Sequence, residues 1–221
     1  GRAAVRVLEA AGFAVRLLEG RACCGRPVFS MGRLDVAENF GRHNLTLLEG
    51  GKDPVIFLEP SCFSMFKEDY RELGLTGAEA LSERSFLFED FMAQTLEDAP
   101  DALRFKSAPA PTAIHAHCHC KAITDTRNIT RLLEHIPENR VTMLDTGCCG
   151  MAGAFGALEN KYDLSVKVAE PLVRLIQELA PDTRLIASGT SCRHQIEHLT
   201  GAQPLHTAEL LSEALMEDGD P

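Results

Sequence analysis

Cys-Cys-Gly occurs twice in this chain, at Cys23-Cys24-Gly25 and at Cys148-Cys149-Gly150. Each copy is followed by a lone cysteine, Cys62 in Glu59-Pro60-Ser61-Cys62 and Cys192 in Gly189-Thr190-Ser191-Cys192. Only 8 of 221 residues are cysteine, so a repeated triplet with a repeated follower needs a cause. Adjacent cysteines do not bridge to each other without strain, but both sulfurs can face one metal or cluster. In the second half Cys118 adds a fourth thiol, and Cys120 is a candidate fifth. Four thiolates suit zinc or an iron–sulfur cluster, because soft sulfur ligands select those metals. The tight Cys-x-x-Cys knuckles of zinc ribbons are missing, and a contiguous pair is unusual at a tetrahedral zinc site. A redox iron–sulfur cluster is therefore favoured over zinc and over free thiols.

The first half offers Cys23, Cys24 and Cys62 alone. By analogy with the second half, a further cysteine belongs after a strand preceding Ala3. The chain thus reads as truncated at its amino terminus, and the first site as the weaker one. Around Cys118, His115, His117 and His119 alternate; each reads first as an ordinary polar residue. His117 and His119 also flank a candidate ligand and are placed to hydrogen-bond a sulfur or tune a potential. His194 is similar, with a helix-surface reading beside it, and His206 reads as structural. Gly150, Gly153 and Gly156 form a Gly-x-x-Gly-x-x-Gly loop, which is not the dinucleotide fingerprint. Small residues there let backbone approach a bulky cluster and aim amides at sulfur.

The elements that must position these residues follow from periodicity and breakers. Residues 3–11 read as a helix and Phe13–Leu18 as a strand, with the first Cys pair in the loop beyond. A helix over 34–48 leads to the apolar strand Pro54–Leu58, which ends at Pro60-Ser61-Cys62. Helices follow over 63–73 and 85–96, and the proline-bearing stretch 97–111 reads as a linker. The second half repeats the theme: strand 112–117 ending at Cys118, helix 121–135, strand 140–144 ending at the second Cys pair. A helical stretch over 162–179, in which Pro171 should kink or divide it, precedes strand 183–188 and Cys192. A last helix covers 208–216. The fold class is α/β, with two similar halves, residues 1–105 and 106–221, each a small parallel sheet flanked by helices. In such sheets sites gather at the carboxyl ends of strands, which is where the cysteines fall.

The composition, 45% apolar and 24% charged, is that of an ordinary globular chain. A net charge of −10 leaves no basic stripe to neutralise phosphate, so nucleic acid is not an expected partner. No run approaches the 18 or so apolar residues of a transmembrane helix. Eight cysteines without a secretory signal point to a reducing, cytoplasmic setting, free or peripheral at the inner membrane, rather than to a disulfide framework.

Five motifs together resemble one family, the cysteine-rich (CCG) domain. They are Cys-Cys-Gly-Arg-Pro with Ser30-Met31-Gly32, Glu-Pro-Ser-Cys, and His-x-His-Cys-His-x-Lys-Ala from His115. The others are Asp-x-Gly-Cys-Cys-Gly-Met-Ala-Gly-x-Phe-Gly from Asp145 and Gly-Thr-Ser-Cys-Arg-His-Gln-Ile from Gly189. Such domains occur as tandem pairs in heterodisulfide reductase, in the iron–sulfur subunits of glycolate oxidase and anaerobic glycerol-3-phosphate dehydrogenase, and in lactate-utilisation proteins. The likeness extends to the carboxyl-terminal part of FAD-linked D-lactate dehydrogenase-type oxidases.

The resemblance implies an iron–sulfur electron-transfer module of a flavin-linked 2-hydroxyacid dehydrogenase. FAD would sit in a separate dehydrogenase domain or subunit, and electrons would pass to a quinone or another carrier. It also implies the ligands: Cys118, Cys148, Cys149 and Cys192 for a [4Fe-4S]-type cluster, and Cys23, Cys24 and Cys62, with Glu59, for a first site that takes zinc or nothing. The family's fuller pattern ends in Cys-x-x-Cys and binds a noncubane cluster in heterodisulfide reductase. The first of those two cysteines is Glu59 in one half and Gly189 in the other, which favours a four-ligand cluster. A disulfide-reducing cluster and a structural zinc module that mediates contacts between subunits are the alternative functions.

Overall fold

The structure is a computed structural model and describes residues 1–216. Packing divides it into two compact units, one of residues 16–87, the other of residues 1–15 together with residues from 88 onward. The expected boundary at 105/106 follows the repeat in the sequence. Packing instead joins the first helix, α1 (Arg2–Ala10), and residues 88–105 to the second half.

In the smaller unit α2 (Arg26–Ser30) and α3 (Leu34–Leu48) follow the first Cys pair. Strand β1 (Val55–Phe57) then leads into α4 (Pro60–Ser64), whose first residue is a proline, pre-set for a helix start and needing no donor there. A wider turn over Met65–Asp69, α5 (Tyr70–Glu72) and α6 (Ala78–Glu83) return the chain to β2 (Ser85–Leu87). The strands pair in parallel, Val55 opposite Ser85 and Phe57 opposite Leu87. Residues 85–87 are thus a strand where a helix start is expected. The run Ser85-Phe86-Leu87-Phe88 suits either period, and pairing with β1 buries Ser85 and Leu87. Leu45, Met65, Phe66, Tyr70, Leu75 and Leu81 pack the core around Cys24. Phe57, Phe66 and Tyr70 stack as tilted rings with centroids 4.8 Å apart in each step.

In the larger unit β3 (Pro111–Ile114), β4 (Arg140–Met143) and β5 (Arg184–Ile186) form a parallel sheet in the order β4-β3-β5. Ile114 lies opposite Met143 on one side and Ile186 on the other. Helix α7 (Phe88–Asp98) precedes the sheet. The first crossover carries α8 (Cys118–Ile123) and α9 (Arg127–Glu134), and the second α10 (Tyr162–Gln177). Because the connections from β3 and β4 run in opposite directions across the sheet, the carboxyl ends of β3 and β5 are its topological switch point, where such sheets place their sites.

Helix α11 (Thr190–Thr200) follows β5 and buries Cys192, Gln195 and Ile196, one face at i, i+3, i+4 spacing. It stops at Gly201, whose φ of 73° is the left-handed cap that glycine adopts cheaply. Helix α12 (Thr207–Ala214) starts in a capping box made by His206 and Glu209 and packs on α1, whose Ala4, Val7 and Leu8 are buried. Pro171 lies inside α10 without ending it: Ala169, Leu172 and Ile176 anchor the helix on both sides, and Pro171 faces solvent. The linker expected over 97–111 is partly built in, with Leu103 and Phe105 buried and Phe105 bridged to Leu215.

One expected strand is missing. Residues 13–18 carry no regular secondary structure, with Leu17 75% exposed, because no neighbouring strand pairs with them among the described residues.

Candidate metal centre

The three strands of the larger unit deliver one cysteine segment each. Beyond β3 the chain passes through His115-Ala116-His117 and turns into α8 at Cys118. Cys148 and Cys149 lie in the loop after β4, and Cys192 in the first turn of α11 after β5. Their thiols form a connected series: Cys118 with Cys148, Cys148 with Cys149, and Cys149 with Cys192. Cys149 and Cys192 are buried within the apolar cluster of Ala113, Leu144, Leu172, Leu185 and Ile196, while Cys118 and Cys148 are half-buried.

Neighbouring thiols hydrogen-bond along the series, and each bond favours a thiolate on one sulfur beside a thiol on the other. Cys118 donating to Cys148 holds Cys148 well below the usual thiol range, and Cys149 does the same for Cys192. The same bonds push the donors Cys118 and Cys149 up, with burial adding to the rise. The backbone N–H of Gly150 also donates to the Cys148 sulfur at 3.3 Å. Thiolates among thiols in a dry pocket are the donor set of a soft metal.

A second layer holds the loop in place. Gly150 has φ of 90°, and a Cβ there would fall 2.1 Å from the Ser165 carbonyl oxygen of α10. A Cβ on Gly156 would fall 2.2 Å from the Ser165 hydroxyl oxygen. These glycines admit α10 to the back of the loop; the Gly150 amide meets sulfur, whereas the Gly156 amide donates to the Met151 carbonyl at 2.9 Å. Gln195 of α11 donates to Ser165 Oγ at 3.0 Å, tying the two helices behind the cysteines.

The histidines separate cleanly. His115 is buried, and its Nδ1 lies 2.9 Å from Thr146 Oγ1. One ring nitrogen of His115 and the sulfurs of Cys149 and Cys192 all lie within 4.8 Å of one another. His117 caps α8, its Nδ1 accepting from the His119 N–H at 3.1 Å, with the Cys118 sulfur 3.9 Å away. Its ring also lies where a side chain on residue 189 would go: a Cβ on Gly189 would be 2.2 Å from His117 Cδ2. His119 packs edge-on to His117 with centroids 5.1 Å apart. His194 is on the surface and His206 caps α12, accepting from Ala208 N–H at 3.0 Å. Cys120 does not join the thiol series. It is buried beside Thr124 Oγ1 at 3.1 Å, and burial pushes its thiol up to about 12.

In the smaller unit, Cys23, Cys24 and Cys62 come together, with Cys24 and Cys62 sharing a hydrogen bond. That bond lowers the Cys24 thiol to about 7, against the opposing effect of burial, and raises Cys62. Asn44, buried on α3, accepts from Ala22 N–H at 2.9 Å and donates to the Cys23 carbonyl at 3.1 Å. Tyr70 donates to the Cys24 carbonyl at 2.7 Å. Arg26 pairs with Asp69 and donates to Ser64 Oγ at 2.6 Å. The Glu59 carboxylate accepts from Ser61 N–H at 3.2 Å and lies close enough to Cys62 to raise its proton affinity. The Asn44 and Tyr70 supports left no sequence signal, since each acts over 20 or more residues. His115 had one: its i, i+2 relation to His117 at the end of a strand.

A set of thiols, two buried and two half-buried, at the carboxyl ends of a small parallel sheet and repeated in part in a second unit, defines a class of cysteine-rich metal-binding α/β proteins. The family described as the cysteine-rich domain (CCG) matches residues 1–67 and 112–197, and the chain belongs to it. It is 30% identical over 219 residues to a subunit of the anaerobic glycerol-3-phosphate dehydrogenase of Escherichia coli K12, covering 97% of this chain and 55% of that one. It is 28% identical over 184 residues to an iron–sulfur protein of Methanocaldococcus jannaschii, covering 82% of this chain and 35% of that one. To lactate utilization protein A of Bacillus licheniformis it is 27% identical over 228 residues, covering 96% and 92%. The chain thus spans about half the length of the first of these relatives.

Proposed function

We propose that this chain is the iron–sulfur electron-transfer module of a flavin-linked 2-hydroxyacid dehydrogenase, with Cys118, Cys148, Cys149 and Cys192 as the cluster ligands. The observation that carries the reading is the convergence of these four thiols, from three strand ends, into one connected group. An iron–sulfur cluster supplies one-electron transfer when bound. The four thiolates hold iron, the Gly150 amide stabilises negative charge on the Cys148 sulfur, and the apolar shell of Leu144, Leu172 and Ile196 excludes water. The names of the glycerol-3-phosphate dehydrogenase and lactate-utilization relatives support a partner that oxidises a small hydroxylated metabolite. That partner carries FAD, and a quinone or another carrier takes the electrons onward.

Anaerobic reconstitution with ferrous iron and sulfide tests this. Broad visible absorption and an EPR signal on reduction are expected, and Cys148→Ala abolishes both. Stoichiometric zinc with no chromophore would sink the reading, as would colour that survives Cys148→Ala unchanged. The first group, Cys23, Cys24 and Cys62 with Glu59 nearby, offers the donor types of a zinc site, three sulfurs and one carboxylate, which would have to draw together around an ion. Metal analysis of zinc-loaded protein is expected to show that Cys62→Ser loses the zinc held there. Equal zinc in variant and parent counts against that site.

A further inference from the structure

We propose that His115 is a nitrogen ligand of the second cysteine site, sharing one metal centre with Cys149 and Cys192. The proposal rests on the iron–sulfur reading of that site and adds a ligand that the cysteine pattern does not contain. His115 is held rigidly: its backbone N–H donates to the Ile186 carbonyl at 2.8 Å, so it continues the β3–β5 ladder, and its side chain is 1% exposed.

A metal with bonds of about 2.0–2.3 Å reaches donor atoms that lie up to roughly 4.6 Å apart. The His115 nitrogen and the two sulfurs, mutually within 4.8 Å, are close to that span, and among the described residues they are the group of three donors so gathered. Two of the three, Cys149 and Cys192, are already cluster ligands in the proposed function.

The ring's two nitrogens divide the work. Nδ1 meets the Thr146 hydroxyl at 2.9 Å, while Nε2 is buried with no hydrogen-bond partner. A buried, unpartnered polar atom in a native fold calls for a ligand. An imidazole anchored through one nitrogen by a hydroxyl, with the lone pair of the other free, has the arrangement of metal-bound histidines. The Thr146 hydroxyl can accept from Nδ1–H, and in that tautomer Nε2 is unprotonated.

Residue 189 explains why a fifth donor, if the site takes one, is not a thiolate. The Cys-x-x-Cys of the resembled pattern would put a thiol there; this chain has Gly189, and the His117 ring fills the space. Cys120, the other nearby thiol, is turned to Thr124. Among the described residues His115 is the nitrogen donor gathered with two of the sulfurs. Imidazole in place of thiolate removes one negative charge from the ligand set, and this raises the reduction potential, as in two-histidine iron–sulfur centres.

The test uses the full chain reconstituted anaerobically with ferrous iron and sulfide, reduced, and examined by pulsed EPR with isotope-labelled histidine. The expected result is a nitrogen bonded directly to the cluster. It should vanish in His115→Cys with iron and sulfide content kept, and the midpoint potential of that variant should move down. The nitrogen should persist in His117→Gln. If His115→Cys fails to fold, the labelled parent protein and His117→Gln still decide. A loaded cluster without a bonded nitrogen overturns the assignment, as does a nitrogen that survives His115→Cys. Both leave the iron–sulfur reading standing. A chain that takes up no iron overturns that reading and the inference with it.

Discussion

At the level of single residues, Gly189 and His117 are a matched pair. The imidazole occupies the volume that a side chain at 189 would need, with only 2.2 Å between His117 Cδ2 and a Cβ on residue 189. Gly189→Cys alone must therefore displace the ring, at a cost of about 1–3 kcal/mol for overpacking. Coupled with His117→Ala the thiol fits, at the separate cost of about 1 kcal/mol for the lost α8 cap. Thermal melts of the two variants read this, and a single variant as stable as the parent would refute the steric argument. The cysteines themselves were legible in the sequence because their repeat is local. His115 was not singled out, because its meaning depends on Thr146 and Cys192, far along the chain, and alternation alone does not separate a ligand from a strand-end histidine.

At the scale of elements, the second site depends on how α10 meets the Cys148–Gly156 loop. Gly150→Ala drives a methyl group toward the Ser165 carbonyl and forces an L-residue to φ of 90°. Strain of about 1–3 kcal/mol and a clash of similar size are expected. Together, in a chain of this length, they lower the melting temperature by roughly 4–24 °C. Calorimetry checks it; a shift under a degree would mean that the loop re-forms without cost. Strands β3, β4 and β5 and helix α10 were readable from apolar runs and periodicity, since sheet burial leaves that pattern. Residues 13–18 carry an apolar strand-like run, yet strand identity is a property of a pair, and no partner is present for them among the described residues. Residues 85–87 fail in the opposite sense, hidden in an apolar run until β1 claims them.

At the scale of the whole molecule, the repeat in the sequence and the units of packing are different divisions. The family matches two stretches in order, while packing assigns α1 to the unit that holds the second cysteine site. A cavity in α1 should thus be felt there. Val7, fully buried, loses about 2 kcal/mol of packing as Val7→Ala. Hydrogen exchange is expected to speed up in α1 and α12 and to stay unchanged in α3 and around Tyr70. Faster exchange in α3 would show that the two units open together.

The docking of α1 on α12 also sets an order of assembly during synthesis. The ribosome makes the two helices about 200 residues apart, which at about 5–20 residues per second means a delay of roughly 10–40 s. Residues 16–87 emerge complete within that interval and can close around Cys24. Meanwhile Val7 and Leu8 remain an uncovered apolar stripe, open to chaperones, until the last described helix leaves the exit tunnel.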